Sequence, residues 1–220
     1  MRGNRRVFAV LAVAAVAGLV ATASDGESAR NPLPGKKHAW TFAADTLGKA
    51  PAFTLASGGT WAVMEDSTSG ARWIRQLDSE EGIGSRAIQF LKPSLADQEL
   101  SARFRIRSGE IDPSVGIAFQ LDPKGRNGYL VRVSGKSGEL IAHYLIHGKR
   151  RDMKYARLTP PNPDEWHTLA VRRKGSVMEI RYDGSMMMKL RDERFEKGNV
   201  GLWTEDDTVA DFADLTVTSL

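Results

Sequence analysis

From Ala39 to the carboxy terminus, no stretch of this chain sustains an apolar period of 3.6 residues; short runs alternate apolar and polar side chains with a period of two instead. Successive side chains of a strand point to opposite faces, so each run lays one face on a core and turns the other toward solvent or a ligand. Leu100, Ala102, Phe104 and Ile106 alternate with Ser101, Arg103, Arg105 and Arg107. Val115, Ile117, Phe119 and Leu121 alternate with Gly116, Ala118 and Gln120. Tyr129, Val131 and Val133 follow, then Leu140, Ala142, Tyr144 and Ile146, then Leu169 and Val171, then Met178, Ile180 and Tyr182. The segments between runs carry turn chemistry: Asp122 to Gly128, Gly135 to Gly138, His147-Gly148-Lys149 and Asp183-Gly184. At most one or two helical turns are expected. The pattern predicts an all-β, two-sheet antiparallel β-sandwich with no internal repeat. A last strand carrying Phe212, Leu215 and Val217 must be paired and buried, because an exposed apolar edge would aggregate.

The amino terminus is of another kind. Arg2, Arg5 and Arg6 precede an apolar stretch from Val7 to Ala21, and Ala21-Thr22-Ala23 fits a small-x-small cleavage site. Residues 1–23 therefore read as a signal peptide, residues 24–37 as a flexible lead-in, and residues 38–220 as a single domain. The apolar stretch is shorter than the roughly 20 residues that span a bilayer, so stable membrane insertion after cleavage is not expected. The expected location is secreted or periplasmic. The whole chain has 31 Lys and Arg against 27 Asp and Glu; the leader takes three Arg and no acid, leaving 28 against 27. That balance removes the electrostatic case for a nucleic-acid partner. No cysteine is present, so an exported domain rests on its core alone and carries no lipid on an amino-terminal cysteine.

Several segments resemble the 3-keto-disaccharide hydrolase family, whose domains belong to the concanavalin A-like lectin/glucanase jelly rolls. They are Trp40-Thr41-Phe42 with Leu47 to Pro51 and Phe53, Gly59 to Val63, Asn127 to Arg132, Trp166 to Val171, the Asp183-Gly184 turn, and Gly198 to Val217. Their order and spacing span nearly all of the expected mature chain. The resemblance implies a jelly roll with a concave, polysaccharide-facing sheet that binds a saccharide or glycoconjugate, with hydrolysis in some members. Fold does not settle function, so that step is analogy.

Candidate chemistry follows from strand parity. If Val200 and Leu202 fill the core, Trp203 and Glu205 point to the other face, where an indole beside a carboxylate suits a sugar. Arg105, Gln120, Arg132 and His143 stand opposite core positions and offer polar contacts; parity without strand order does not bring them to one face. Arg103 and Arg107 read as a solvated sheet face. Glu205, with His143, is the candidate acid/base should the protein be catalytic. The Glu-x-Asp-x-x-Glu pattern of many glucanases on this fold is absent, which disfavours ordinary retaining chemistry. No Gly-x-Ser-x-Gly elbow, phosphate loop or His-Glu-x-x-His motif occurs. His143 and His147 would stand about 13 Å apart along a strand, too far to share a metal. No cofactor is expected; calcium has candidate oxygen ligands at Asp122/Asn127 and Asp206/Asp207, without the dense loop of an EF-hand.

Three functions remain open at this point: a saccharide-binding domain, a glycoside hydrolase acting on a modified disaccharide, and a sandwich that contacts another protein. Mass spectrometry of the exported protein is expected to find Ser24 as the first residue; a chain still beginning at Met1 would remove the signal-peptide reading.

Overall fold

The computed structural model describes residues 35–81 and 84–220; the expected leader and the lead-in as far as residue 34 lie outside the described residues. Fifteen strands follow in chain order: β1 (Lys37–Trp40), β2 (Thr54–Ser57), β3 (Trp61–Glu65), β4 (Arg72–Gln76), β5 (Ser85–Leu95), β6 (Gln98–Ser108), β7 (Ser114–Leu121) and β8 (Gly128–Ser134). The second half holds β9 (Glu139–Ile146), β10 (Lys149–Arg157), β11 (His167–Lys174), β12 (Val177–Tyr182), β13 (Ser185–Arg191), β14 (Gly198–Glu205) and β15 (Val209–Ser219). Among the described residues there is no helix.

The strands form two sheets. The eight-stranded sheet runs β13-β12-β11-β6-β15-β4-β3, with β1 also on β15; the seven-stranded sheet runs β10-β9-β8-β7-β14-β5-β2. Every ladder between these strands is antiparallel, as the turn chemistry predicts, and the hairpins β7–β8, β8–β9, β9–β10 and β12–β13 close at the four expected turns. Gly35 and Lys37, at the end of the expected lead-in, pair with β15: Gly35 N–H donates to Ser219 O at 2.7 Å, and Lys37 stands opposite Thr218.

The core lies between the sheets and is built from the period-two positions. Leu100, Ala102 and Phe104 of β6 and Phe212, Leu215 and Val217 of β15 come from one sheet; Val115, Ile117 and Phe119 of β7 and Val200 and Leu202 of β14 come from the other. Each is buried to within 1% of completely. Burial of a side chain of this size is worth roughly 1.5–3 kcal/mol. The final strand is thus central, flanked by β6 on one side and by β4 and β1 on the other. The strand β10 has no counterpart in the sequence reading: its sequence, Lys-Arg-Arg-Asp-Met-Lys-Tyr-Ala-Arg, is charged, which suits the sheet edge it occupies.

Arg105 belongs to the outer face of the eight-stranded sheet, because β6 contributes its even-numbered side chains to the core. There Asp211, with no exposed surface, accepts from Arg75 (Nε to Oδ1 2.5 Å, Nη2 to Oδ2 2.9 Å) and from Arg105 (Nε to Oδ2 2.7 Å). The Arg105 guanidinium stands 4.6 Å from the Trp166 ring centre and 5.6 Å from that of Trp73, so it is held on two sides by aromatic faces. Truncating Asp211 leaves two neighbouring cations with no anion between them. Asp211→Ala is expected to destabilise the domain by about 3 kcal/mol, since both arginines keep some access to water, and urea unfolding checks this. A loss below about 1 kcal/mol would show that the cluster is a solvated surface pair.

Candidate functional site

The outer face of the seven-stranded sheet carries two adjoining zones, one apolar and one ionic. In β14, Val200 and Leu202 enter the core while Trp203 and Glu205 turn outward, as parity predicts. The neighbouring strands, however, do not present a polar outer face. Ala118, Leu121, Leu130, Leu145 and Trp203 form a second apolar cluster there, each buried to below 10% exposure. Strands buried on both faces read as near-continuous apolar runs, and Val115 to Leu121 and Tyr129-Leu130-Val131 are such runs. That was the available signal. Gly116 makes the cluster fit: a Cβ there would stand 2.9 Å from Leu130 Cδ1 and 2.7 Å from Val131 O.

This cluster floors a cavity of about 370 Å³, walled by Leu55 and Ser57 of β2, by the turn carrying Lys124, Gly125 and Arg126, and by Gly148 and Arg150. The turn is tied down on both sides. Asp122 Oδ1 accepts from Arg126 N–H (2.8 Å) and its Oδ2 from Asn127 Nδ2 (2.6 Å). Burial works against the charge of Asp122, but these hydrogen bonds outweigh it and hold the carboxyl below its ordinary range. Arg126 Nη2 reaches His147 O at 3.0 Å, and Gly148 N–H donates to Arg126 O at 2.8 Å, so the turn and the β9–β10 hairpin form one rim.

The ionic zone begins where the apolar floor ends. Arg150 grips Glu205 through both of its terminal nitrogens, with Nη1 2.6 Å from Oε2, and its guanidinium stands 5.0 Å from the Trp203 ring centre. Trp203 is therefore 5% exposed and covered by Arg150; it forms part of the cavity wall and is not an open platform. Arg132 Nη1 lies 3.9 Å from Glu205 Oε2 and 3.2 Å from Asp112 Oδ2, and donates to Ser114 Oγ at 2.8 Å.

His143 sits beside these cations with its side chain 4% exposed. Its Nδ1 is 2.9 Å from Asp152 Oδ1, a contact that favours the protonated ring. Burial, opposed by Asp152 and aided by Arg132 and Arg150, lowers the imidazole pKa from 6.5 to about 4.

Of the six residues singled out in the sequence, Trp203, Glu205, Arg132 and His143 share this face, while Arg105 and Gln120 do not. Gln120 has a left-handed backbone (φ 50°), and β7 shifts register against β14 between Ala118 and Leu121. This bulge breaks the period of two. Leu121 takes the outward position, and Gln120 reaches the sheet end, where its Nε2 donates to Ala96 O (3.0 Å) and Glu196 O (2.8 Å). Strand parity does not single out Arg150, Lys124 or Arg126, because β10 reads as a charged segment and the two others lie in a turn. At the other calcium position, Asp207 Oδ2 accepts from Glu110 N–H (2.5 Å). Among the described residues no group of three or more His, Asp or Glu is placed to hold a metal.

No protein-family model and no curated protein sequence matches the chain. Among solved structures it is similar to the carbohydrate-binding module CBM66 from Bacillus subtilis, with a TM-score of 0.65 and 22% identity over 76% of this chain and 96% of that one. The exoplasmic/lumenal domain of VIP36 in its Ca2+/Man2-bound form gives a TM-score of 0.60 at 11% identity, over 84% of this chain and 87% of that one. The carbohydrate recognition domain of Emp47p gives 0.56 at 13%, over 78% and 90%. At these identities the likeness establishes the fold alone, a jelly-roll β-sandwich.

The buried imidazole has a consequence for stability. The folded state keeps His143 neutral down to about pH 4, whereas the unfolded chain binds a proton below about pH 6.5. His143 thus contributes no pH dependence above 6.5 and costs stability as the pH falls toward 4, on the order of 3 kcal/mol in total. Urea midpoints compared at neutral pH and near pH 4.5 are expected to fall less in His143→Gln than in the wild type. Equal falls would mean that His143 titrates normally.

Proposed function

We propose that this chain is an exported saccharide-binding module that takes its ligand in the cavity on the outer face of the seven-stranded sheet. The observation that carries this reading is the cavity itself: an apolar floor of Ala118, Leu121, Leu130, Leu145 and Trp203, bounded by fixed polar groups. Small-ligand sites combine such a lining with a few converging polar groups, and a sugar ring presents the matching surfaces, carbon-bound hydrogens on its faces and hydroxyls around its edge. The fold likeness supports the reading, since the similar structures include a carbohydrate-binding module and a lumenal domain in its Ca2+/Man2-bound form. Export rests on residues 1–23, and kinship with the 3-keto-disaccharide hydrolase family rests on the sequence motifs quoted above.

Within this reading Glu205 acts through Arg150: its two oxygens hold the guanidinium over Trp203. Arg132 and His143 extend the polar border. The hydrolase reading keeps one favourable observation, that Glu205 and Asp112 both lie within 4 Å of Arg132 Nη1, a pair of carboxyls on one face. It lacks an unengaged acid. Both oxygens of Glu205 are on Arg150, and Asp112 accepts from Ser134 Oγ (2.7 Å) and Arg132. His143, neutral near pH 7 and buried, has no proton to give and little access to a substrate.

Glycan-array binding and a product-release assay on the wild type, Ser57→Tyr and Glu205→Gln test the proposal. Ser57 is exposed on the cavity wall, so a tyrosine there narrows the cavity without disturbing the core. The expected result is saccharide binding that weakens by about tenfold or more in Ser57→Tyr, with no product released. Product release that disappears in Glu205→Gln would make the protein a hydrolase. Failure to bind any member of a broad panel would overturn the saccharide reading in favour of a protein partner.

A further inference from the structure

The charge distribution around the cavity is one-sided. Its lining includes Lys124, Arg126 and Arg150 and no carboxylate. Arg150 is shared with Glu205, but Lys124 and Arg126 make no ion pair among the described residues. Asp122, the acid of the same turn, is engaged by the backbone N–H of Arg126 and the side chain of Asn127. Arg126 is also held in place, by His147 O, so its guanidinium stands at the rim as a fixed cation.

A neutral sugar needs hydroxyl acceptors as much as donors; the three charged side chains of this lining, Lys124, Arg126 and Arg150, only donate, and its side-chain acceptors are the hydroxyls of Ser57 and Ser85 and one amide. The clearest amide acceptor in its wall is Gln89, 3% exposed, whose Nε2 is engaged by Asp122 O (2.8 Å) and Asn199 Oδ1 (3.1 Å) while its Oε1 has no protein partner. Two exposed cations at the edge of an apolar floor set up a positive field that a ligand without charge leaves unanswered. An anion relieves that mismatch, and guanidinium offers the forked donors that suit a carboxylate.

We infer that the cavity is selective for an acidic saccharide, one whose carboxylate meets Lys124 and Arg126 while its ring lies on the apolar floor. The inference rests on the saccharide-binding reading and narrows it to sugars of the uronate class. The ring carbons cover Leu130, Leu145 and the edge of Trp203, and the carboxylate completes the rim that Asp122 leaves open. Because Lys124 is exposed at the mouth, binding is salt-dependent.

The test measures binding of uronate oligosaccharides (galacturonate, glucuronate-containing and mannuronate/guluronate types), of their methyl esters, and of neutral mannan and fructan oligosaccharides of similar length. A sulfated oligosaccharide distinguishes carboxylate recognition from any anionic glycan. The proteins are the wild type, the double variant Lys124→Gln/Arg126→Gln, and Ser57→Tyr, each checked for an unchanged thermal melt. The expected result is that a uronate binds, that its methyl ester binds about tenfold or more weakly, and that affinity falls between about 20 mM and about 500 mM salt. The double variant is expected to bring the acid down to the affinity of the ester, and Ser57→Tyr to weaken both. An ester that binds as well as the acid overturns the inference, as does acid binding that survives in the double variant, or a sulfated glycan preferred over every uronate. Neutral glycans bound equally well, and weakened by Ser57→Tyr, overturn the acidic selectivity and leave the saccharide reading standing. No binding to any sugar of the panel overturns both.

Discussion

Two strands that are consecutive in the chain, β14 and β15, lie in the interior of different sheets, and the remaining architecture is arranged around that crossing. β14 pairs with β7 and β5; three residues later β15 begins, to pair with β6, β4 and β1. The short connection between them is strongly anchored. Asp206 is left-handed (φ 43°), Thr208 N–H returns to Glu205 O at 3.1 Å, and Ser114 N–H donates to Thr208 Oγ1 at 3.0 Å. Asp207 reaches the backbone of Glu110 on the far side. Because two sheets share this joint, the carboxy-terminal end of β14 is anchored from both. Trp203 and Glu205 occupy it.

From there the electrostatics of the outer face follow in sequence. Glu205 is fixed at the strand end, so it fixes Arg150; Arg150 in turn covers the indole of Trp203 and limits its exposure to 5%. Arg132 is placed between Glu205 and Asp112, and the combined field of the two arginines adds to burial in keeping His143 neutral. The ionic zone is consequently closed on itself, with Glu205 and Asp112 answering Arg150 and Arg132. The cavity next to it is not. Its two cations without an ion pair among the described residues, Lys124 and Arg126, come from a turn whose one acid is consumed in shaping the turn, which leaves positive charge beside an apolar floor.

Much of the fold was legible. Alternation located the core strands, turn residues located the hairpins, and the apolar final strand announced that it had to be interior. β10 was not legible, because an edge strand can be stable with a charged sequence when its neighbour supplies the pairing. On the outer face of the seven-stranded sheet, parity correctly turned Trp203 and Glu205 outward, since β14 keeps its period of two across Val200 to Glu205. It failed at Gln120, where one left-handed residue and one bulge exchange the roles of Gln120 and Leu121. It also could not join Arg105 to the others, because alternation says that a side chain leaves the core but not which sheet carries it.

The sequence by itself determined the fold class, the inward positions of most strands, and, with no cysteine, a chain without disulfides. These are properties of local pattern and composition, and neither depends on which strands become neighbours. Only the tertiary structure decided that the outer face of one sheet is apolar and covered, that Arg150 from the edge strand lies over Trp203, and that Lys124 and Arg126 open onto the cavity unpaired. Those outcomes depend on strand order and register, set by backbone pairing between segments far apart in the chain: Glu205 and Arg150, 55 residues apart, meet because β14 and β10 belong to the same sheet.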